Sequence, residues 1–98
     1  METRDSAISL VLTRLIGRYH AMRQKHGEYS IDGSLITNRE RLAALGEEFG
    51  EVCRALTYDR DHAGNLREEL IDLANVAVTW AASLPESPGQ SGMQDGAE

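Results

Sequence analysis

The segment from Leu66 to Ala82 constrains this chain most. Leu66, Leu70, Ile71, Leu73, Ala74, Val76, Ala77, Val78, Trp80, Ala81 and Ala82 follow so closely that a helix built from them is apolar nearly all round from Leu70 onward. Such a helix must be buried on more than one side. A chain of 98 residues has little else to cover it with, and small domains bury only a modest fraction of their surface. Asn65, with Glu68 three residues on, has the spacing of an N-cap followed by an acid and marks the start of this helix.

Two further amphipathic segments precede it. From Ser6 to Lys25, Ile8, Val11, Leu12, Leu15, Ile16, Tyr19 and Met22 recur at three- and four-residue steps. Gly27 is placed to end that helix in a left-handed conformation, with Lys25 and His26 against the negative end of its dipole. A polar loop with the turn signal Asp32-Gly33 runs from Gly27 to Thr37. Thr37 and Glu40 have capping-box spacing, so a second helix is expected from Thr37 to Leu56 with the stripe Leu42, Leu45, Phe49, Val52 and Leu56. Cys53 lies within that pattern and reads as a small packed thiol. Thr57 to Gly64 is a connection rich in Asp, Gly and His.

No stretch predicts a strand. The expected fold is therefore all-α: a helical hairpin with a preceding helix, in one domain over residues 1–84. From Pro85 to Glu98 the composition turns to Pro, Gly, Ser, Gln and acid, which predicts a disordered tail over 85–98. The net charge of −6 and pI of about 5.0 argue against a nucleic-acid polymer or an anionic membrane as partner, since both call for a basic footprint. No apolar run reaches the ~18 residues of a membrane span, and the first residues lack the pattern of a signal peptide. The expected location is the cytoplasm.

The acids are concentrated. Glu47, Glu48 and Glu51 stand on the second helix, and Glu68, Glu69 and Asp72 on the third. Residues three apart share a helix side, so Glu48 points with Glu51 and Glu69 with Asp72. Antiparallel packing of the two helices brings these four carboxylates together. Taken alone, the first trio reads as a solvated helix face. Asp72 is harder to explain so, because it is set among Leu70, Ile71, Leu73 and Val76, and a buried carboxylate must be paired, hydrogen-bonded or protonated. An arginine (Arg14, Arg18, Arg41 or Arg67) could hold it in a structural ion pair. A divalent cation could also hold it, and all-oxygen ligation favours magnesium or manganese. An EF-hand from Asp59 fails because Leu70 falls at its twelfth position. A di-iron bundle fails for want of Glu-x-x-His pairs, and zinc for want of a Cys and His set.

At these residues the sequence resembles the all-α nucleoside triphosphate pyrophosphohydrolases of the MazG-like superfamily. Glu47-Glu48-Phe49-Gly50-Glu51 is similar to the first half of their signature, Glu-Glu-x-x-Glu, and Glu69-Leu70-Ile71-Asp72 to the second, Glu-x-x-Asp. The likeness covers roughly Leu42 to Trp80. A softer likeness to small phage and actinobacterial members lies at Arg23 to Glu28.

The resemblance implies Mg²⁺, with Mn²⁺ as an alternative, held by Glu48, Glu51, Glu69 and Asp72. It implies Glu47 orienting or deprotonating a water, and Asn75 contacting a nucleoside triphosphate that is cleaved to the monophosphate and pyrophosphate. Better-known members carry basic residues before the first motif and after the second. Here no Lys or Arg follows Arg67, so phosphate charge falls to the metal, to Arg23, Lys25, Arg39 or Arg41, or to a second subunit. The resemblance also implies a homodimer or homotetramer with a four-helix-bundle-type core. The alternative is a noncatalytic helical oligomerisation module with a structural cation site.

Overall fold

A computed structural model of the chain describes residues 3–57 and 65–86. Three α-helices make up the fold: α1 over Arg4–His26, α2 over Asn38–Thr57 and α3 over Leu66–Ser83. No strand occurs among the described residues. The expected connection over 58–64, and the expected tail beyond Glu86, lie outside the described residues.

Local chemistry accounts for both ends of α1 and the start of α2. Thr3 caps α1 by accepting from the Ser6 backbone N–H at 3.0 Å. At the other end Gly27 takes φ +58°, a conformation that L side chains avoid, and its N–H donates to the Arg23 carbonyl. The expected capping box of α2 is present in full. Thr37 Oγ1 accepts from the Glu40 backbone N–H at 3.1 Å, and Glu40 Oε1 accepts from the Thr37 N–H at 2.8 Å. The box expected at α3 does not form. Asn65 makes no side-chain cap bond, and Glu68 turns instead toward two arginines of α1.

Helix α3 is the centre of the fold, with α1 and α2 packed on it and not on each other. The pairs Arg14–Glu68 and Arg18–Asp72 advance together along the two sequences, so α1 runs parallel to α3. Helix α2 is antiparallel to α3, since Trp80 near the end of α3 donates from Nε1 to Oδ1 of Asn38 at the start of α2, at 2.9 Å. The hairpin with a preceding helix is thus the observed arrangement.

The loop between α1 and α2 opens with a single 3-10 turn, Gly27–Tyr29, and folds back on itself. Gly33 donates to the Ser30 carbonyl, and Leu35 to the Glu28 carbonyl. Gly33 is required by close approach: a Cβ there would overlap the Glu28 backbone. Arg41 fastens the loop to α2 through the carbonyls of Ile31 and Gly33.

The apolar core of the described residues is thin: Leu15, Val52, Ala55, Ile71 and Val76. On α2 the expected stripe is only partly inside. Val52 is buried, but Leu42, Phe49 and Leu56 are more than half exposed, and Cys53, expected to be packed, is exposed. The side turned inward carries Ala44, Glu48, Val52 and Ala55. Small side chains there let the helices approach closely, and Leu42 and Phe49 lie outside the contact. No described helix is long and apolar enough to cross a membrane.

Candidate metal centre and adjoining cavity

The rotation of α2 that buries Ala55 and turns Ala44 inward also turns Glu48 toward α3. One carboxylate oxygen from each of Glu48, Glu69 and Asp72 lies within 4.8 Å of the others, and all three side chains are half-buried. Burial and the neighbouring charges of Asp72, Glu69, Glu47 and Glu51 hold the Glu48 carboxyl above its ordinary range. Glu69 is raised for the same reasons: burial first, then the charges of Asp72 and Glu51. Neither Glu48 nor Glu69 has a cationic partner among the described residues.

Asp72 differs. Arg18 reaches across from α1, with Nη1 at 2.6 Å from Asp72 Oδ1 and Nη2 at 2.6 Å from Glu68 Oε1. Arg14 takes the other oxygen of Glu68 at 3.1 Å. These contacts raise the pKa of Arg18 and lower that of Glu68. Of the four arginines that could have paired with Asp72, Arg18 does so, and Arg41 is committed to the loop.

Of the remaining sequence-predicted residues, Glu51 lies near enough to Glu48 and Glu69 to raise both, but outside the three-oxygen cluster, with Arg54 Nε 3.7 Å from its Oε1. Glu47 is exposed on the neighbouring face of α2. Lys25 is exposed near the end of α1 and makes no ion pair among the described residues. Arg23 is engaged with Glu28 and Asp32.

Asn75 is buried one turn beyond Asp72. It lines a cavity of ≈ 260 Å³ whose wall includes Glu48 and Asp72. The buried polar side chains of the described residues are Ser30, Asn75 and Thr79, and all three line this cavity. Thr79 Oγ1 donates to Asn75 Oδ1 at 3.2 Å, while the Asn75 amide nitrogen has no acceptor among the described residues. Tyr19 closes one side, its hydroxyl donating to Asp32 Oδ2 at 2.8 Å. Periodicity did not single out Ser30, Tyr19 or Thr79 as cavity residues. A polar Thr79 in an otherwise apolar segment was the available signal.

An all-oxygen, anionic donor set of this kind suits a hard divalent cation and not a soft one. The cavity beside it offers a few polar groups on a mainly apolar wall, the usual make-up of a small-molecule site. No protein-family model matches the chain, and neither a curated protein nor a solved structure is significantly similar to it.

Proposed function

We propose that this chain is a divalent-cation-dependent hydrolase that splits a nucleoside triphosphate into the monophosphate and pyrophosphate. The observation that carries the reading is the meeting of Glu48, Glu69 and Asp72 at the edge of a cavity lined by the buried polar side chains Ser30, Asn75 and Thr79. The resemblance of the two acidic segments to the MazG-like pyrophosphohydrolases supports it.

Glu48, Glu69 and Asp72 would hold Mg²⁺ or Mn²⁺, with Glu51 the next carboxylate in reach. A bound ion of this type neutralises phosphate charge and makes hydroxide accessible near neutral pH. Glu47, adjacent to Glu48, is the candidate to orient the attacking water toward the α-phosphorus. Asn75 offers its free amide to the substrate in the cavity, while Thr79 holds that amide's oxygen. Such a substrate fits a cytoplasmic enzyme.

Assembly belongs to the same reading. Ile8, Leu12 and Ile16 on α1, Leu42, Phe49 and Leu56 on α2, and Leu70, Val78 and Leu84 at α3 are all near half exposed or more. A second copy that buries them in a closed four-helix-type core completes the fold, as a homodimer or a tetramer built from it. It also can carry Lys25 toward the acidic site of its neighbour.

One observation favours a second reading, a noncatalytic oligomerisation module that keeps the carboxylates as a structural cation site. Arg14 and Arg18 are engaged within the subunit, and so are Arg23 and Arg41 of the four cations named for phosphate, which leaves Lys25 and Arg39 for that role. Incubation of the purified protein with canonical and modified triphosphates and Mg²⁺ or Mn²⁺, followed by a pyrophosphate assay, decides between them. Pyrophosphate release supports the hydrolase. Cation binding with no release from any substrate supports the module.

A further inference from the structure

We infer that Arg18 is the resident counter-ion of the acidic site: it holds Asp72 while no divalent cation is bound and gives up that carboxylate when one arrives, keeping its grip on Glu68. The inference rests on the cation-site reading above. It adds a residue from α1, outside both acidic segments, that sets how tightly the site takes its ion.

The geometry separates the two arms of the guanidinium. On the Glu68 side the anchoring is redundant. Nη2 meets Glu68 Oε1 at 2.6 Å, Nη1 lies 3.3 Å from the Glu68 carbonyl oxygen, and Arg14 holds the second carboxylate oxygen. On the Asp72 side there is one contact, Nη1 to Oδ1 at 2.6 Å. Asp72 is also the member of the three-oxygen cluster nearest to a positive charge, while Glu48 and Glu69 have none paired to them. A dication drawn to these three carboxylates would sit beside the guanidinium, and two like charges a few ångströms apart repel strongly in a half-buried site. The Arg18 side chain is 26% exposed, which gives its Asp72 arm a path to water while Nη2 stays on Glu68.

A second observation shows that the site is not a closed structural network. Asn75 is 7% exposed, and its amide nitrogen lacks an acceptor among the described residues although the residue lines the cavity beside Glu48 and Asp72. A buried amide donor without a protein acceptor is available to whatever occupies the cavity, solvent or ligand. Arg18 therefore balances part of the negative charge of a cluster that borders a cavity with a donor free of protein partners.

The test is Mn²⁺ binding to the full chain by calorimetry, comparing wild type with R18A and R18Q, with D72N as the ligand-loss control and circular dichroism to verify folding. Removing one positive charge beside the site should tighten Mn²⁺ binding roughly tenfold, and D72N should bind far more weakly than wild type. R18K, which keeps the charge but cannot bridge two carboxylates as a planar fork does, should fall between. Affinity that is unchanged or weaker in R18A and R18Q, with wild type binding, overturns the inference and leaves the cation site standing. No binding by wild type or by any variant overturns the cation-site reading and the inference together. Failure of every Arg18 variant to fold at saturating Mn²⁺ makes Arg18 a structural residue and overturns the inference as well.

Discussion

Arg18 and Asp72, fifty-four positions apart in the chain, are joined by a 2.6 Å contact between Nη1 and Oδ1. This contact ties the first helix to the acidic helix at the point where three carboxylates converge. It changes what a substitution at Asp72 must do. From the sequence, Asp72→Asn is expected to leave the metal-free fold intact or slightly more stable, because it relieves repulsion. With Arg18 paired to it, the same change removes an ion pair that is two-thirds or more buried on both sides. We expect D72N to lose divalent-cation binding and metal-dependent turnover, and to lower metal-free stability by about 1 kcal/mol. Urea unfolding with and without Mn²⁺ measures both. Retained turnover would remove Asp72 from the ligand set.

Stability should vary with pH in two opposed ways. Glu48 and Glu69 titrate above their ordinary value of 4.5 in the folded protein. At a pH between that value and their folded pKa, the folded protein holds protons that the unfolded chain has released. Their contribution therefore becomes more favourable as pH is lowered from neutral through the folded pKa toward 4.5. Glu68, lowered by its hydrogen bond to Arg18, has the opposite sign: its contribution is present above 4.5 and is lost as pH falls through its folded pKa. Metal-free stability should thus peak on the acid side of neutral and fall in stronger acid, and saturating Mn²⁺ should flatten the neutral side. A metal-free stability that only decreases from pH 7 to about 5 would contradict the raised pair.

Ile71 is 2% exposed, the most fully buried large side chain of the described residues. Ile71→Ala should cost about 2–4 kcal/mol by lost transfer energy and the cavity left behind. Val76→Ala, at 7% exposure, should cost less. Chemical denaturation of the two variants checks the order, and a smaller loss at Ile71 than at Val76 would argue against α3 as the centre of the core.

The loop beside the cavity depends on Gly33. A methyl group there overlaps the Glu28 backbone, so Gly33→Ala must displace the segment that carries Ser30 and Ile31 into the cavity wall. We expect about 1–3 kcal/mol of destabilisation, together with weaker nucleotide binding. A control at Gly46, where an added Cβ meets nothing within 4 Å, should leave binding unchanged. Equal binding by the Gly33 variant would detach the loop from the substrate site.

Assembly is read most directly from Phe49, 57% exposed on α2. If the chain assembles as proposed, Phe49→Glu should shift it to monomer in sedimentation at micromolar concentration, with lower stability than the parent. A parent chain that is itself a well-folded, active monomer would exclude both the assembly and a site shared between subunits.

Periodicity and end signals by themselves determined three helices, the capping box at Thr37 and Glu40 and the glycine end of α1, and, given antiparallel packing of the two acidic segments, a meeting of Glu48, Glu51, Glu69 and Asp72, of which three come together. These are legible because they are local or follow from one contact between neighbouring helices. Tertiary structure alone decided the rest. The apolar arc of α2 is wider than the face α3 can cover, and close packing selected the side with Ala44 and Ala55, leaving Leu42, Phe49 and Leu56 outside. It left Glu51 beside the cluster and not within it. The Asn65–Glu68 pair has the spacing of a cap but does not form one, and Glu68 is instead held by Arg14 and Arg18 of α1. Which arginine meets Asp72 depends on the parallel register of α1 on α3, a contact more than fifty residues distant that no local pattern encodes.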